Sequence, residues 1–265
     1  MRSIAPGLSM DRLGPRTIEA TNLRAAAVSA THMIAQRAAF ALDVDPEEFE
    51  PLEPRPRDGL PVIQIADTLV NGAGFCRRLA GSKDGEPLAV RLIRSMLDDP
   101  SDPLTGCFFD VEHKYDCGRS CYRCLQRYGN RSFHGLLDWR LGLSFMRCLI
   151  DPNHVVGLDG DFSRRELEDW PALAERAAED ICRLSPASRS VQNMGPYGLP
   201  VVIEPNGAGG REAFVIIHPF WSTGDDIPKI LADIRDELPS TTGVRFIDTF
   251  EASRRLLGAL DYSRT

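Results

Sequence analysis

The sequence predicts a mixed α/β protein, and three observations lead to this fold class. Apolar residues recur at helical spacing in several long segments, and short β-rich segments bounded by glycine, proline or asparagine lie between them. The chain has 265 residues, of which 43% are hydrophobic, enough to bury one large or two small cores. We therefore predict a helical region with a short sheet, followed by a small α/β unit.

Helices dominate the elements predicted for the first half of the chain. Apolar positions at helical spacing predict a long amphipathic helix over Thr17–Leu42. The prolines within residues 51–61 predict a linker or an extended crossing rather than a regular element, and residues 61–67 predict a strand. The helical spacing returns in residues 86–97 and 136–150.

The second half predicts a helical connector and then a small sheet. Ser163-Arg-Arg-Glu166 has the pattern of a capping box and predicts a helix that runs to about Leu184, with Pro171 interrupting its start. Residues 185–198 predict a boundary between domains. The last unit is predicted to hold a β-hairpin, a helix and a strand, at residues 200–204 with 212–218, 227–238 and 244–250.

The segment from Cys107 to Leu141 carries the clearest chemical signal. It holds four of the seven cysteines, spaced C-x9-C-x3-C-x2-C. Thiolates two or three residues apart can turn inward on one tight loop and share a tetrahedral zinc ion at Zn–S distances near ~2.3 Å. The firmest predicted ligands are Cys117, Cys121 and Cys124. Cys107 is the best candidate for the fourth, and its rivals are His113, His134 and Cys76.

Two other interpretations of these cysteines stay open, namely ordinary reduced thiols and a disulfide pair. Clustering in a polar segment favours the metal site over both. The remaining cysteines lie in apolar helical contexts and are predicted to be core residues: Cys76, Cys148 and Cys182.

Basic and aromatic residues surround the predicted zinc knuckle, the metal-binding segment with Cys117, Cys121 and Cys124. Seven basic residues stand against two acidic ones between Lys114 and Arg147, a local charge of +5 on a chain of net charge −7. Such a cationic island suits contact with phosphates, and four aromatic rings offer flat faces to unpaired bases: Tyr122, Tyr128, Phe133 and Trp139. The alternative is a solvated arginine face above core aromatics. We predict nucleic-acid contacts by Arg119, Arg123, Arg127, Arg131, Tyr122 and Tyr128.

The motif C-x3-C-Y-x-C-L-x2-Y-x-N-x3-H-x2-L-D-x-R-L, from Cys117 to Leu141, resembles the MrfA-type zinc-binding domain of bacterial DEAD/DEAH-box helicases. The closest resemblance is to helicases of DNA repair and phage defence. The glycine-rich block Asp67–Cys76 and the helix end at Leu42–Pro46 are similar to segments that precede the cysteines in that family. The resemblance implies four cysteine zinc ligands, carried here onto Cys107, Cys117, Cys121 and Cys124.

With this resemblance, the chain divides into four predicted segments. They are an N-terminal helix with a proline-rich linker, the zinc-binding domain, a helical connector and the small α/β unit, at residues 1–60, 61–150, 151–198 and 199–265.

The predicted function is that of a non-catalytic accessory module of a helicase. The chain has neither a G-x4-G-K-[ST] phosphate loop nor a DEAD or DEAH box, so it is not itself the motor. The expected partners are nucleic acid, DNA in particular, and a helicase motor in cis or in trans. The expected cofactor is structural Zn²⁺, because four thiolates leave no open position for water. No apolar run approaches the roughly twenty residues that span a bilayer, and we expect the protein in the reducing cytoplasm.

Two alternative functions belong to other classes. One is a metal-dependent nuclease that uses acidic residues and a histidine near the predicted strand ends: Glu204, Glu212, His218 and Asp248. The Asp…Glu-x-Lys pattern of such enzymes is absent. The other is a structural scaffold that binds a protein partner. A weaker signal, the Asn71–Gly74 turn, matches an anion cradle or a tight strand-to-helix turn.

Overall fold

The computed structural model describes residues 5–10, 21–57, 60–69, 71–83, 85–184, 188–206 and 210–260. It has the predicted mixed α/β composition, with helices, two hairpins of two strands and one sheet of four strands. The described residues form two compact units, one within Met10–His154 and the other within Val155–Thr265 joined by residues 5–9. Among these residues, no helix is both long and apolar enough to cross a membrane.

Helix α1 (Thr21–Leu42) is the centre of the first unit. Small side chains cover it on nearly every side, and most of its residues from Leu23 to Ala39 are buried. Its predicted C-terminal end at Leu42 is confirmed, while residues 17–20 lie outside the described chain. The predicted amphipathic character is wrong, because the helix packs against neighbours on several sides at once and needs no polar face.

A β-hairpin packs against α1. Strand β1 (Phe49–Arg57) pairs antiparallel with β2 (Leu60–Asp67). Strand β2 was predicted, but the prediction of a linker across residues 51–57 is wrong. The strand tolerates its prolines because it has one partner only in the described hairpin, so half of its backbone groups need no ladder bond.

The rest of the first unit consists of short helices that lead to and from the cysteine segment. They are α2 (Phe75–Ala80), a two-residue ladder of β3 (Ser82–Lys83) with β4 (Glu86–Pro87), α3 (Leu88–Asp98), α4 (Val111–Asp116) and α5 (Trp139–Ile150). Helices α3 and α5 confirm the predictions for residues 86–97 and 136–150. Between α4 and α5 the backbone forms turns and one 3₁₀ helix, Tyr128–Phe133.

The second unit is built on a four-stranded sheet in the order β5-β6-β7-β8. After α6 (Trp170–Arg183), the strands β5 (Ser190–Met194), β6 (Leu199–Pro205) and β7 (Arg211–Ile217) pair antiparallel. Helix α7 (Lys229–Glu237) then connects β7 to the parallel strand β8 (Thr242–Asp248), and α8 (Thr249–Ala259) follows.

Two local predictions for this unit need correction, and one helix was missed. Residues 185–198 include the edge strand β5, whose polar, exposed residues hide its pairing with β6. Ser163 begins no helix, because its N–H donates to Asp161 Oδ1 at 2.9 Å in a turn, and α6 starts at Trp170 with Pro171 in its first turn. Helix α8 was not predicted.

Candidate metal centre

Four ligand atoms converge in the first unit. The Sγ atoms of Cys117, Cys121 and Cys124 and one imidazole nitrogen of His113 all lie within 4.8 Å of one another. The Cys117–Cys124 and Cys121–Cys124 sulfur pairs are each 3.8 Å apart. A tetrahedral ion with metal–sulfur distances near 2.3 Å sets its sulfur ligands about 3.8 Å apart. The spacing of the thiols is therefore that of a tetrahedral metal site.

His113 is oriented for coordination by its other ring nitrogen. Its Nδ1 lies 2.9 Å from the carbonyl oxygen of Phe108, and a carbonyl only accepts, so Nδ1 carries the proton. The lone pair of Nε2 then faces the thiols, 3.5 Å from Cys121 Sγ. The imidazole also stacks on the Phe108 ring, with centroids 5.8 Å apart. A backbone carbonyl that fixes the tautomer is a regular feature of histidine metal ligands.

Cys107 is the one predicted ligand that lies outside this group. It sits in the 3₁₀ turn Gly106–Phe109, is exposed, and its thiol lies 3.7 Å from the carbonyl oxygen of Leu104. The turn leads directly into α4, and that helix carries His113 inward to the cysteines. The fourth position therefore belongs to His113, which the sequence had offered as a rival ligand.

The buried thiols of Cys117 and Cys124 form a close pair, with their sulfur atoms 3.8 Å apart. A hydrogen bond from Cys117 lowers the pKa of Cys124 to about 5, and the same bond raises the pKa of Cys117. The backbone N–H of Cys121 also donates to Cys124 Sγ at 3.1 Å. Cys124 is thus the sulfur that the surrounding chain prepares best for the thiolate form, the form that binds metal.

Helix α5 stabilises the metal-binding loop through hydrogen bonds from Arg140 and Trp139. The Arg140 side chain is buried and donates to the carbonyl oxygens of Cys117 and Gly118, both at 3.2 Å. Its guanidinium lies 4.1 Å from the centre of the Trp139 ring. The backbone N–H of Trp139 donates to the backbone carbonyl of Arg119 at 3.0 Å, and this bond connects the loop to the first turn of the helix. Arg140 therefore supports the metal loop and does not belong to the solvent-facing charges.

The predicted nucleic-acid residues remain at the surface. Arg123, Arg127, Arg131, Tyr122 and Tyr128 are exposed, while Arg119 is half-buried and donates to the carbonyl of Gly135 at 3.0 Å. Other basic and aromatic residues of the segment are buried or make contacts within the protein. Trp139 is fully buried, Phe133 packs on His32 of α1, and Arg147 pairs with Asp98 at 2.8 Å.

The Asn71–Gly74 turn is filled by a side chain of the protein. Asp67 accepts from the N–H groups of Gly74 and Cys76, each at 2.8 Å. An interaction with the Cys76 side chain lowers the pKa of Asp67 most, and the backbone hydrogen bonds from Cys76 and Gly74 lower it further. The carboxylate occupies the place that a bound anion would take, so the turn is a structural cap and the anion-cradle interpretation is not supported.

The residues of the predicted nuclease do not converge. Glu204 pairs with Arg189, Asp248 caps α8 by accepting from the Glu251 N–H at 2.8 Å, and His218 packs among aromatic rings. Among the described residues, the group around His113 is the one place where three or more histidine, cysteine, aspartate or glutamate ligand atoms come together. The nuclease alternative thus lacks a metal site in this part of the chain.

A comparison with protein-family models, with curated proteins and with solved structures gave no match to this chain.

Proposed function

We propose that this chain is a zinc-stabilised, non-catalytic module that contacts nucleic acid and works beside a helicase motor, in cis or in trans. The observation that carries the proposal is the convergence of His113 with Cys117, Cys121 and Cys124 beneath an exposed basic loop.

Zinc is the metal that this ligand set favours. Three thiolates and one imidazole are a common structural zinc set, and tetrahedral sulfur and nitrogen ligands are typical of that ion. Four protein ligands close the coordination shell, so the ion supplies folding free energy rather than an activated water. In the reducing cytoplasm the thiols would stay available for the metal.

Nucleic-acid contact is supported by the charges that the knuckle exposes. Arg123, Arg127 and Arg131 are exposed and lie within nine consecutive residues, from Arg123 to Arg131. The nearest acidic partner is Asp116, 4.0 Å from Arg123 in an exposed and therefore weak pair. A pair of this kind competes little with a phosphate, which arginine binds with charge-assisted hydrogen bonds.

The link to a helicase rests on the resemblance of the Cys117–Leu141 motif to the MrfA-type zinc-binding domain. In this proposal the metal centre orders a loop that touches a strand leaving the motor, in DNA repair or phage defence. Protein scaffolding without nucleic-acid contact is the outcome that would replace it.

The deciding experiment measures bound metal and nucleic-acid affinity on the same protein. Elemental mass spectrometry should find about one zinc per chain, lost in Cys121→Ser and kept in the matched control Cys182→Ser, which lies in α6 of the other unit. The double variant Arg123→Glu/Arg127→Glu should keep zinc and lose DNA affinity in a salt-dependent way. The matched control is Arg176→Glu, an exposed arginine of α6.

Absence of zinc from protein purified without chelator would overturn the metal centre. Zinc at full occupancy with DNA affinity unchanged in the double variant would leave a metal-stabilised scaffold instead.

A further inference from the structure

We propose that the loop from Cys121 to His134 binds an unpaired nucleic-acid strand, with Tyr122 and Tyr128 stacked against its bases. The inference rests on the proposed function and narrows it, because it names single-stranded nucleic acid as the ligand of the same surface.

The first support is the exposure of the two rings. Tyr122 and Tyr128 have 70% and 78% of their surface exposed to solvent. Base faces in a duplex are covered by neighbouring base pairs, whereas an unpaired base offers a free face to an aromatic side chain. Two exposed rings beside arginines therefore match a single strand better than a double helix.

The second support is that the loop is held in place before any ligand arrives. Asn130 is buried, its Oδ1 accepts from the Arg127 N–H at 2.8 Å, and its Nδ2 donates to the carbonyl of Leu125 at 2.9 Å. His134 Nε2 lies 3.0 Å from both Asn130 Oδ1 and the Arg127 carbonyl, two acceptors, so this nitrogen carries the proton. A loop fixed in this way loses little conformational entropy on binding.

The same contacts connect the two tyrosines. The Tyr122 ring meets the His134 imidazole edge-on, with centroids 5.5 Å apart. Since His134 bonds to the Arg127 carbonyl and Tyr128 is the next residue, both rings belong to one hydrogen-bonded loop. These contacts fix the position of both rings in the loop before a strand binds.

Guanidinium groups accompany both rings. Arg131 lies 4.9 Å from the centre of the Tyr128 ring and donates to its hydroxyl at 3.1 Å. Arg127 donates to the carbonyl of Gln126 at 2.7 Å and lies 3.5 Å from that of Tyr122. Each stacking position thus has a cation beside it for the phosphate of the same nucleotide.

Tyr115 provides an internal comparison. It is as exposed as Tyr128, at 78%, but lies on α4 between the acidic neighbours Glu112 and Asp116. Tyr115 also lies outside the loop from Cys121 to His134, so it should not take part.

The test compares three proteins with two probes by fluorescence anisotropy. The proteins are the zinc-loaded full chain, its Tyr122→Ala/Tyr128→Ala variant and the matched control Tyr115→Ala. The probes are a labelled oligothymidylate of about 15 nucleotides and a blunt duplex of the same length. We expect tighter binding of the single strand by the full chain, a loss of about fivefold or more per ring in the double variant, and no change in the control.

Two results would overturn the inference. One is equal affinity of the full chain for single strand and duplex, and the other is unchanged single-strand affinity in the double tyrosine variant. Either result, with binding still lost in Arg123→Glu/Arg127→Glu, would leave the proposed function standing. Absence of binding to both probes would remove the two together. Tyr122→Phe/Tyr128→Phe, which keeps both rings, should retain the affinity and exclude a folding defect as the cause.

Discussion

The fourth ligand of the metal centre shows how a single residue is placed by its surroundings. The sequence favoured Cys107 as the fourth ligand, with His113 as a rival. The structure buries His113 because α4 turns that side chain toward Phe108 and the thiols. The H-x3-C spacing before Cys117 is a signal for this arrangement, since residues three and four apart share one side of a helix.

The ligand assignment gives a first prediction. Cys107→Ser should keep about one zinc per chain, because this thiol lies outside the convergent group, whereas His113→Ala should lose zinc. Elemental analysis of both variants after gel filtration measures the difference. Loss of zinc in Cys107→Ser would restore the four-cysteine set that the family resemblance implies.

At the scale of elements, the metal loop depends on the contact between α1 and α5. Gly142 lies at a close contact between the two helices, where an added Cβ would meet Met33 Sδ at 2.9 Å, Ser29 Cβ at 3.0 Å and the backbone nitrogen of Ala30 at 3.2 Å. The Ser29 hydroxyl also accepts from the Asp138 N–H at 2.8 Å, just before α5 begins. The small residues of α1 thus allow the close approach of α5, the helix whose Arg140 contacts the metal loop.

Gly142→Ala should therefore destabilise the first unit by overpacking, by about 1–3 kcal/mol. The matched control is Gly135→Ala, where an added Cβ meets no atom within 4 Å. Urea denaturation of both variants measures the free energy of unfolding. A Gly142→Ala protein as stable as the control would show that the helices can move apart at little cost.

The N-cap of α5 gives a prediction on pH. Burial raises the pKa of Asp138 to about 6 from 3.8, against the opposing effect of Arg140. The folded protein therefore holds this proton over a range of pH in which the unfolded chain has released it, so stability from this group falls as pH rises from about 4 to about 6. The slope has an upper limit of about 1.4 kcal/mol per pH unit.

Asp138→Asn keeps a capping oxygen for the N–H groups of Arg140 and Leu141 and removes the titration. The difference in stability between this variant and the wild type should grow in favour of the variant as pH rises from about 4 to about 6 and stay level at higher pH, as measured by thermal unfolding across the range. The control is Asp225→Asn at an exposed site. A difference that is constant with pH would argue against the raised pKa.

At the scale of the whole molecule, the described chain has two compact units and only the first contains the metal centre. Around the metal-binding segment, the first unit has turns, a six-residue helix and a 3₁₀ helix rather than long regular elements. We therefore expect bound metal to stabilise this segment. The second unit is ordered by a four-stranded sheet with a fully buried apolar core along β6 and β7.

Removal of zinc by a strong chelator should accordingly affect the two units differently. Hydrogen exchange followed by mass spectrometry should show faster exchange in residues 107–137 and unchanged protection in β6 and β7. Re-addition of zinc should reverse the change. Faster exchange throughout the chain would mean that the units unfold together, and no change would mean that the metal contributes no stability.

Much of this protein is determined by local sequence. Apolar spacing predicts the mixed α/β class, helices α3, α5 and α7, and the hairpin of β6 and β7. The C-x3-C-x2-C pattern predicts three of the four convergent ligands. Both patterns act within a few residues. The zinc identity, the nucleic-acid contacts and the helicase partnership remain predictions.

Tertiary structure decided what depends on distant neighbours. The proline-containing segment of β1 forms a strand because it pairs with β2. The polar segment of β5 forms an edge strand because it pairs with the backbone of β6. Arg140 and Trp139 are buried and Phe133 packs on His32, whereas Tyr122 and Tyr128 are exposed to solvent. His113 joined the thiols for the same reason. Burial and strand pairing are properties of the packed chain, and residues far apart in sequence supply them.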